Sequence, residues 1–136
     1  MAIRIPVHAC QPIGDVDFVF VYNEEMIRMT WALGASISEL RCKVFSSIDE
    51  LLVAAESISK NVPIFLDSNL GQGIRGQDFA QILREMGFRK IFLATSYAEL
   101  HGTKIDHIDA VVGKSFEGAL TFLREANFRA SAEVSV

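Results

Sequence analysis

The sequence predicts one α/β domain built on a five-stranded parallel sheet with helices on both faces. Short apolar runs alternate with helical segments five times along the chain, which is the pattern of a parallel sheet. The chain has 136 residues and is 50% hydrophobic, enough for one packed core. Right-handed crossovers then favour the doubly wound strand order 2-1-3-4-5, in three αβα layers.

The predicted strands are continuous apolar runs bounded by polar or turn residues, as expected of strands buried on both faces. Pro63 can stand at the start of the third strand, where the ladder does not need its missing N–H. The predicted strands are residues 17–22, 42–45, 62–67, 91–94 and 110–113.

The predicted helices carry start and stop signals. The acidic turn Glu24–Glu25 suits the positive end of the first helix, and Ser47 with Glu50 forms a capping box at the second. Gly87 can end the third helix in a left-handed turn. Residues 96–109 have weak helical character, so the fourth helix should be short. The predicted helices are residues 24–38, the segment between Ser47 and Asn61, 77–86, and 116 to about 126.

Apolar residues at helical spacing give the predicted core faces of these helices. Trp31 is interpreted as a packing residue and not as a ligand platform. The predicted core positions are Ile27, Trp31 and Leu33 on the first helix, Leu51, Leu52, Ala55 and Ile58 on the second, and Phe79, Ile82 and Leu83 on the third. Together with the strand order 2-1-3-4-5, helices on both faces of the sheet give the expected flavodoxin-like topology.

The expected domain spans residues 17–128. Residues 1–16 lack a clear period and are interpreted as an N-terminal arm, and residues 129–136 as a flexible tail.

Composition and charge exclude several function classes. The net charge of −4, without a cluster of Lys and Arg, argues against direct nucleic-acid binding. No apolar run approaches the ~20 residues that span a bilayer, so no membrane contact by this chain is expected. Cys10 and Cys42 lack metal-ligand spacing and are interpreted as reduced thiols. These features predict a cytoplasmic location, either alone or within the cytoplasmic part of a larger sensor protein.

Three predicted strands end in an acid, a hydroxyl and an amine, namely Asp67, Thr95 and Lys114. Because ligands of open parallel sheets bind beyond the carboxyl ends of the strands, these side chains should meet in one crevice. Asp67 alone could be a loop-capping aspartate, but three such residues at corresponding strand ends favour a site. A carboxylate that faces an ammonium and a hydroxyl could accept and hold a phosphoryl group.

This pattern resembles the receiver domain of two-component response regulators over roughly residues 18–122. Asp67 falls where the family has its phospho-accepting aspartate, Thr95 on the hydroxyl after the fourth strand, and Lys114 on the lysine after the fifth. The run Asp67-Ser-Asn-Leu-Gly, with Leu93-Ala-Thr95 and Val112-Gly-Lys114, resembles a divergent receiver group found in hybrid histidine kinases.

The resemblance implies that Asp67 receives a phosphoryl group from the phosphohistidine of a histidine kinase or a histidine phosphotransfer domain. It also implies Mg²⁺, held by Asp67, the backbone carbonyl of Asn69 and acids after the first strand. Such a domain catalyses its own phosphorylation at most, so a conventional enzymatic activity is not expected.

The sequence departs from this family at the position of the acids. Tyr22 and Asn23 stand where receivers place two carboxylates, and Asn23 offers only a neutral carbonyl. Mg²⁺ binding should therefore be weak or absent, unless Glu24 or Glu25 reaches back. The alternative is a pseudo-receiver that is not phosphorylated and acts through protein contacts or as a homodimer.

Two further motifs are better explained by ordinary structural roles. Gly71 to Gly76 matches the G-x-G-x-x-G pattern of dinucleotide-binding proteins, which leaves a small flavodoxin-like enzyme or nucleotide binder as a third hypothesis. The motif does not follow its strand directly, so a loop with glycines at positive φ is favoured, and Arg75 within it is interpreted as solvated. His101 and His107 have no acid or Cys companions and do not indicate a metal site.

Overall fold

The computed structural model describes residues 16–124 and confirms the predicted fold class. Five parallel strands form one sheet in the order β2-β1-β3-β4-β5. The remainder of the predicted arm and tail lies outside the described residues. The strands are β1 (Phe18–Val21), β2 (Cys42–Phe45), β3 (Ile64–Asp67), β4 (Ile91–Ala94) and β5 (Ala110–Val112).

Helical segments connect these strands. The first three α-helices are α1 (Glu25–Ile37), α2 (Ile48–Ala54) and α3 (Ala80–Glu85). The fourth crossover contains only a single 3₁₀ turn, Ala98–Leu100, which agrees with its weak helical pattern. A fourth α-helix, α4, begins at residue 116 and reaches residue 124, where the described residues end. None of the helices within residues 16–124 has both the length and the apolar composition that a bilayer crossing requires.

The core lies in two clusters on opposite faces of the sheet. An aromatic cluster fills the layer beneath α1 and α4, where the Trp31 ring stacks on Phe20 with centroids 3.8 Å apart. An aliphatic cluster that includes Leu51 and Leu83 fills the layer beneath α2 and α3. Since β1 and β3 are buried along their whole length, they form the rigid centre of the three-layer fold.

Two predicted core positions are wrong. Leu33 on α1 and Ile82 on α3 are both exposed. Successive helical residues are turned by about 100°, so Leu33 lies about 200° around the helix from the buried Trp31. The third helix also begins later than predicted, because Gly76–Phe79 forms a 3₁₀ turn before α3.

The predicted helix signals are confirmed at α2 and α3. Ser47 Oγ accepts a hydrogen bond from the Glu50 amide at 3.2 Å, and the Glu50 carboxylate accepts one from the Ser46 amide at 2.7 Å. That amide lowers the pKa of Glu50. Gly87 follows α3 with φ +107°, a left-handed conformation that glycine adopts without a steric penalty.

Gly76 allows the loop after β3 to pack directly on that strand. A Cβ atom at this position would overlap the backbone carbonyl oxygen of Asp67, and backbone cannot move aside as a flexible side chain can. We expect Gly76→Ala to lower the free energy of unfolding by about 1–3 kcal/mol, the usual range for overpacking.

Urea unfolding monitored by Trp31 fluorescence measures this effect. Gly113→Ala is the matched control, because a Cβ there meets no atom within 4 Å. We expect the control to change stability by no more than about 1 kcal/mol, in the stabilising direction. Equal effects of the two substitutions would contradict the proposed close approach.

Candidate functional site

The three predicted site residues lie at the carboxyl edge of the sheet. Asp67 ends β3, Thr95 follows β4, and Lys114 lies two residues beyond β5. The register pairs Asp67 with Ala94, and Ala94 with Val112, so these strands end at the same level. Lys114 Nζ approaches Asp67 Oδ1 to 3.9 Å. The fold therefore brings Asp67 and Lys114 together and places Thr95 at the end of the neighbouring strand, at the same level of the sheet.

Asp67 is a fully buried carboxyl group. Neither of its oxygens has a hydrogen-bond partner among residues 16–124. Burial raises the pKa of Asp67 to about 6, although the Lys114 charge and the amides of Asn69 and Ser68 act in the opposite direction. At pH 7 the group is consequently mostly ionised, and it is held at the energetic cost of desolvation.

Lys114 is positioned by groups from three different elements. Its ammonium lies 4.8 Å from the centroid of the Tyr22 ring, within cation–π range. Its backbone carbonyl accepts a hydrogen bond from Trp31 Nε1 at 3.0 Å. Burial lowers the pKa of Lys114, but contact with the Tyr22 hydroxyl and the charge of Asp67 outweigh it and raise the pKa. The side chain therefore remains a cation at the site.

Thr95 is buried and its hydroxyl is already engaged. Thr95 Oγ1 lies 2.7 Å from Ser68 Oγ and accepts a hydrogen bond from the Tyr97 amide at 3.1 Å. The Thr95 carbonyl accepts a hydrogen bond from His101 Nε2 at 2.9 Å. Ser68 and His101 thus fix the Thr95 segment, and sequence patterns gave no signal for either contact.

Tyr22 is buried at the end of β1 and is only 2% exposed. Its hydroxyl donates a hydrogen bond to Glu24 Oε1 at 3.1 Å, and its carbonyl accepts one from Arg28 at 2.7 Å. Burial is the main cause that raises the pKa of Tyr22, so the phenol stays protonated at neutral pH. Glu24 does reach back towards the site, but its carboxylate meets the Tyr22 hydroxyl.

A polar cavity of about 350 Å³ opens at this edge of the sheet. Asn69 lies in the loop after β3, which borders the cavity. Its Oδ1 atom accepts a hydrogen bond from the Gly71 amide at 3.0 Å, and this bond closes a turn in the loop. Gly71, Ser96 and Tyr97 were not predicted as part of the site, although each closely follows a strand end. The cavity is lined by Tyr22, Asn23, Glu24, Asn69, Gly71, Ser96, Tyr97 and Lys114.

The predicted metal ligands do not fit a tightly held Mg²⁺ ion. Mg²⁺ requires octahedral oxygen ligands, and it usually keeps several waters beside one or two carboxylates. Within the described part of the chain, no group of three or more His, Cys, Asp and Glu residues is placed to hold a metal. Glu24 is engaged by Tyr22, and Asp67 faces the Lys114 ammonium. Asn23 and the Asn69 carbonyl would have to supply most of the remaining ligands.

The Gly71–Gly76 segment is a tight turn beside the site. Gly71, Gln72 and Gly73 all have positive φ, and the Leu70 amide donates to the Ile74 carbonyl at 2.8 Å. Arg75 is paired with Asp78, at 2.7 Å between Nη2 and Oδ1. The glycines therefore serve the turn geometry.

Comparison with known proteins identifies the fold. No protein-family model and no curated protein matches this chain. Solved structures do match in shape. One is the N-terminal domain of a response regulator/sensory box/GGDEF 3-domain protein from Carboxydothermus hydrogenoformans, with 14% identity and a TM-score of 0.66. That match covers 88% of this chain and 98% of the other.

The receiver domain of the TMAO respiratory system response regulator TorR also matches, with 24% identity and a TM-score of 0.59. It covers 86% of this chain and 94% of the other. A fusion protein that carries a trimeric coiled coil of yeast Spc42 matches with 16% identity, a TM-score of 0.70, and coverage of 91% and 87%. This chain has the receiver fold. At these identities the similarity describes the backbone and not the chemistry of the site.

The raised pKa of Asp67 predicts a pH-dependent stability. The folded state binds a proton more tightly than the unfolded state, whose Asp pKa is about 3.9. Stability from this group is therefore present at low pH and is lost as the pH rises towards about 6. Asparagine does not ionise, so the Asp67→Asn variant does not lose this stability as the pH rises. We expect the unfolding free energy of the variant, relative to the parent, to rise by about 2 kcal/mol between pH 4.5 and pH 7.5.

Urea unfolding at both pH values provides the measurement, and Asp106→Asn is the control because Asp106 is exposed. A constant difference between Asp67→Asn and the parent across this range would contradict the raised pKa.

Proposed function

We propose that this chain is an atypical receiver domain of a two-component phosphorelay, which takes a phosphoryl group on Asp67 from a phosphohistidine. The observation that carries the proposal is the environment of Asp67. Its carboxylate is buried at the carboxyl edge of the sheet, has no hydrogen-bond partner in the described chain, and lies 3.9 Å from the Lys114 ammonium. The partner would be a histidine kinase or a histidine phosphotransfer domain.

The residues of the site support a direct transfer. An oxygen of Asp67 attacks phosphorus, the P–O bond forms, and the P–N bond to the histidine breaks, which leaves an acyl phosphate and a histidine that regains a proton. Asp67 is mostly ionised at pH 7, since its pKa is about 6. It can therefore act as the nucleophile without a separate base, provided that the residues covering its buried oxygens move aside for the donor.

Negative charge on the transferred group needs nearby donors and cations. Lys114 supplies a point charge beside Asp67. Thr95 could donate its hydroxyl proton to a phosphoryl oxygen if it exchanged its present partner, Ser68 Oγ. In this proposal Mg²⁺ is bound weakly or not at all, and Lys114 provides the resident positive charge.

A second candidate function is favoured by Tyr22. Its buried ring lies beside the Lys114 ammonium, and its hydroxyl holds the carboxylate of Glu24. These contacts stabilise the site without any phosphoryl group. A pseudo-receiver with this arrangement would act through constitutive protein contacts or dimerisation. In either role we place the protein in the cytoplasm, alone or as the cytoplasmic part of a larger sensor.

Phosphotransfer separates the two functions. Intact mass is measured after incubation with acetyl phosphate or with a phosphorylated histidine phosphotransfer domain, each with and without Mg²⁺. We expect a gain of one phosphoryl group that Asp67→Asn abolishes and Asp106→Asn retains, because Asp67 lies beside the Lys114 ammonium at the carboxyl edge of the sheet, whereas Asp106 is an exposed loop residue. The absence of a mass gain with every donor would favour the pseudo-receiver.

Replacement of Tyr22 tests what weakens Mg²⁺ binding at the site. We expect Tyr22→Asp to tighten Mg²⁺ binding by on the order of tenfold or more, because it adds a carboxylate at the end of β1, the strand that pairs with β3. Titration calorimetry measures the affinity. Tyr22→Phe is the control, since it removes only the hydroxyl and adds no charge. If Tyr22→Asp binds Mg²⁺ no better than Tyr22→Phe, the loss of acids at this position is not what weakens the metal site.

A further inference from the structure

Helix α1 carries a continuous apolar stripe on its solvent side. Met26, Met29, Leu33 and Ile37 are 75%, 61%, 62% and 74% exposed. Their spacing of three, four and four residues places them within about 80° of arc on one helix face. We refer to these four residues as the α1 outer stripe.

The opposite face of the same helix is already packed. Trp31 and Ala35 on that face are buried against the sheet and α4. Helix α1 is therefore apolar on two sides, while residues 16–124 cover only one of them. An exposed apolar patch of this size often marks a binding surface.

The surroundings of the stripe indicate what kind of surface this is. The exposed residues beside it, Thr30 and Ser36, are neutral. The acidic residues Glu25 and Glu39 lie beyond its two ends, and Arg28 is directed to the Tyr22 carbonyl. Anionic lipid, nucleic acid or an acidic peptide would need cationic residues that the stripe lacks. Its chemistry fits another neutral apolar helix face.

A second copy of the chain provides such a face with matching spacing. When one α1 lies antiparallel on another, Met26 faces Ile37 and Met29 faces Leu33, so the stripe is complementary to itself. Two-fold interfaces require this self-complementarity. The four side chains expose roughly 500 Å² per copy, so a pair that covered them completely would bury about 1,000 Å², the lower limit of a specific interface.

We propose that two copies of this chain associate through their α1 outer stripes in an antiparallel two-fold arrangement. The small area makes the dimer weak and dependent on concentration. The proposal requires neither Asp67 phosphorylation nor Mg²⁺ binding.

Sedimentation velocity from low to high micromolar concentration tests the association. We expect a reversible dimer of the full chain whose dissociation constant rises at least tenfold in Leu33→Lys, because each copy then places an ammonium group against Met29 of the other copy within an apolar contact. Val53→Lys is the matched control: Val53 is 87% exposed, but it lies on α2 in the other layer. We expect Val53→Lys to dimerise like the parent.

A protein that stays monomeric throughout, or equal effects of Leu33→Lys and Val53→Lys, would overturn the proposal. A protein that stays monomeric would indicate that the α1 outer stripe binds a partner of different sequence. Unfolding free energies of the variants confirm that each is folded. Should Leu33→Lys fail to fold, Met29→Gln replaces it with the same expected direction.

Cysteine cross-linking tests the orientation independently. In a Cys10→Ser, Cys42→Ser background, Met26→Cys and Ile37→Cys variants are prepared separately and then mixed under mild oxidation. An antiparallel pair should cross-link the mixture at least several-fold faster than either variant alone. Faster cross-linking within Met26→Cys alone would indicate a parallel pair and contradict the arrangement.

Discussion

The approach of Lys114 Nζ to the buried Asp67 carboxylate, at 3.9 Å, is the interaction on which the candidate site depends. A buried carboxylate without hydrogen-bond partners is expensive, and a nearby cation offsets part of that cost. Both charges are held by the core. Asp67 ends a strand that is buried along its length, and the Trp31 indole, stacked in the aromatic cluster, fixes the Lys114 backbone. The packing beneath α1 therefore also sets the electrostatics of the sheet edge.

The Lys114 ammonium interacts with the Tyr22 ring as well as with Asp67. A tyrosine ring attracts an ammonium without neutralising it, and such a contact is worth about 0.5–2 kcal/mol. Lys114 thus lies between a neutral ring and a carboxylate, at a distance from Asp67 that is longer than a direct hydrogen bond. The phenol donates its hydrogen bond to Glu24, and neither oxygen of Asp67 has a hydrogen-bond partner among residues 16–124.

The sequence allowed the strand order, the strand ends and the meeting of Asp67 with Lys114 to be predicted, because periodicity and chain topology determine all three. The contacts that tune the site could not be predicted in this way. Tyr22 with Lys114 and Ser68 with Thr95 join residues far apart along the chain, and their distances depend on side-chain packing. Leu33 shows a further limit. When a helix has apolar residues on two faces, the sequence alone does not show which face packs in the core.

Helix α1 joins the site to the outer surface of the domain. Arg28 donates to the Tyr22 carbonyl and Trp31 to the Lys114 carbonyl, so two hydrogen bonds hold the helix against the sheet edge from its inner side. A helix fixed in this way presents its outer side chains in one register. Association through a rigid surface loses less conformational entropy than association through a mobile one. The two hydrogen bonds that hold α1 in place therefore favour association through the α1 outer stripe, although the area of the stripe is small.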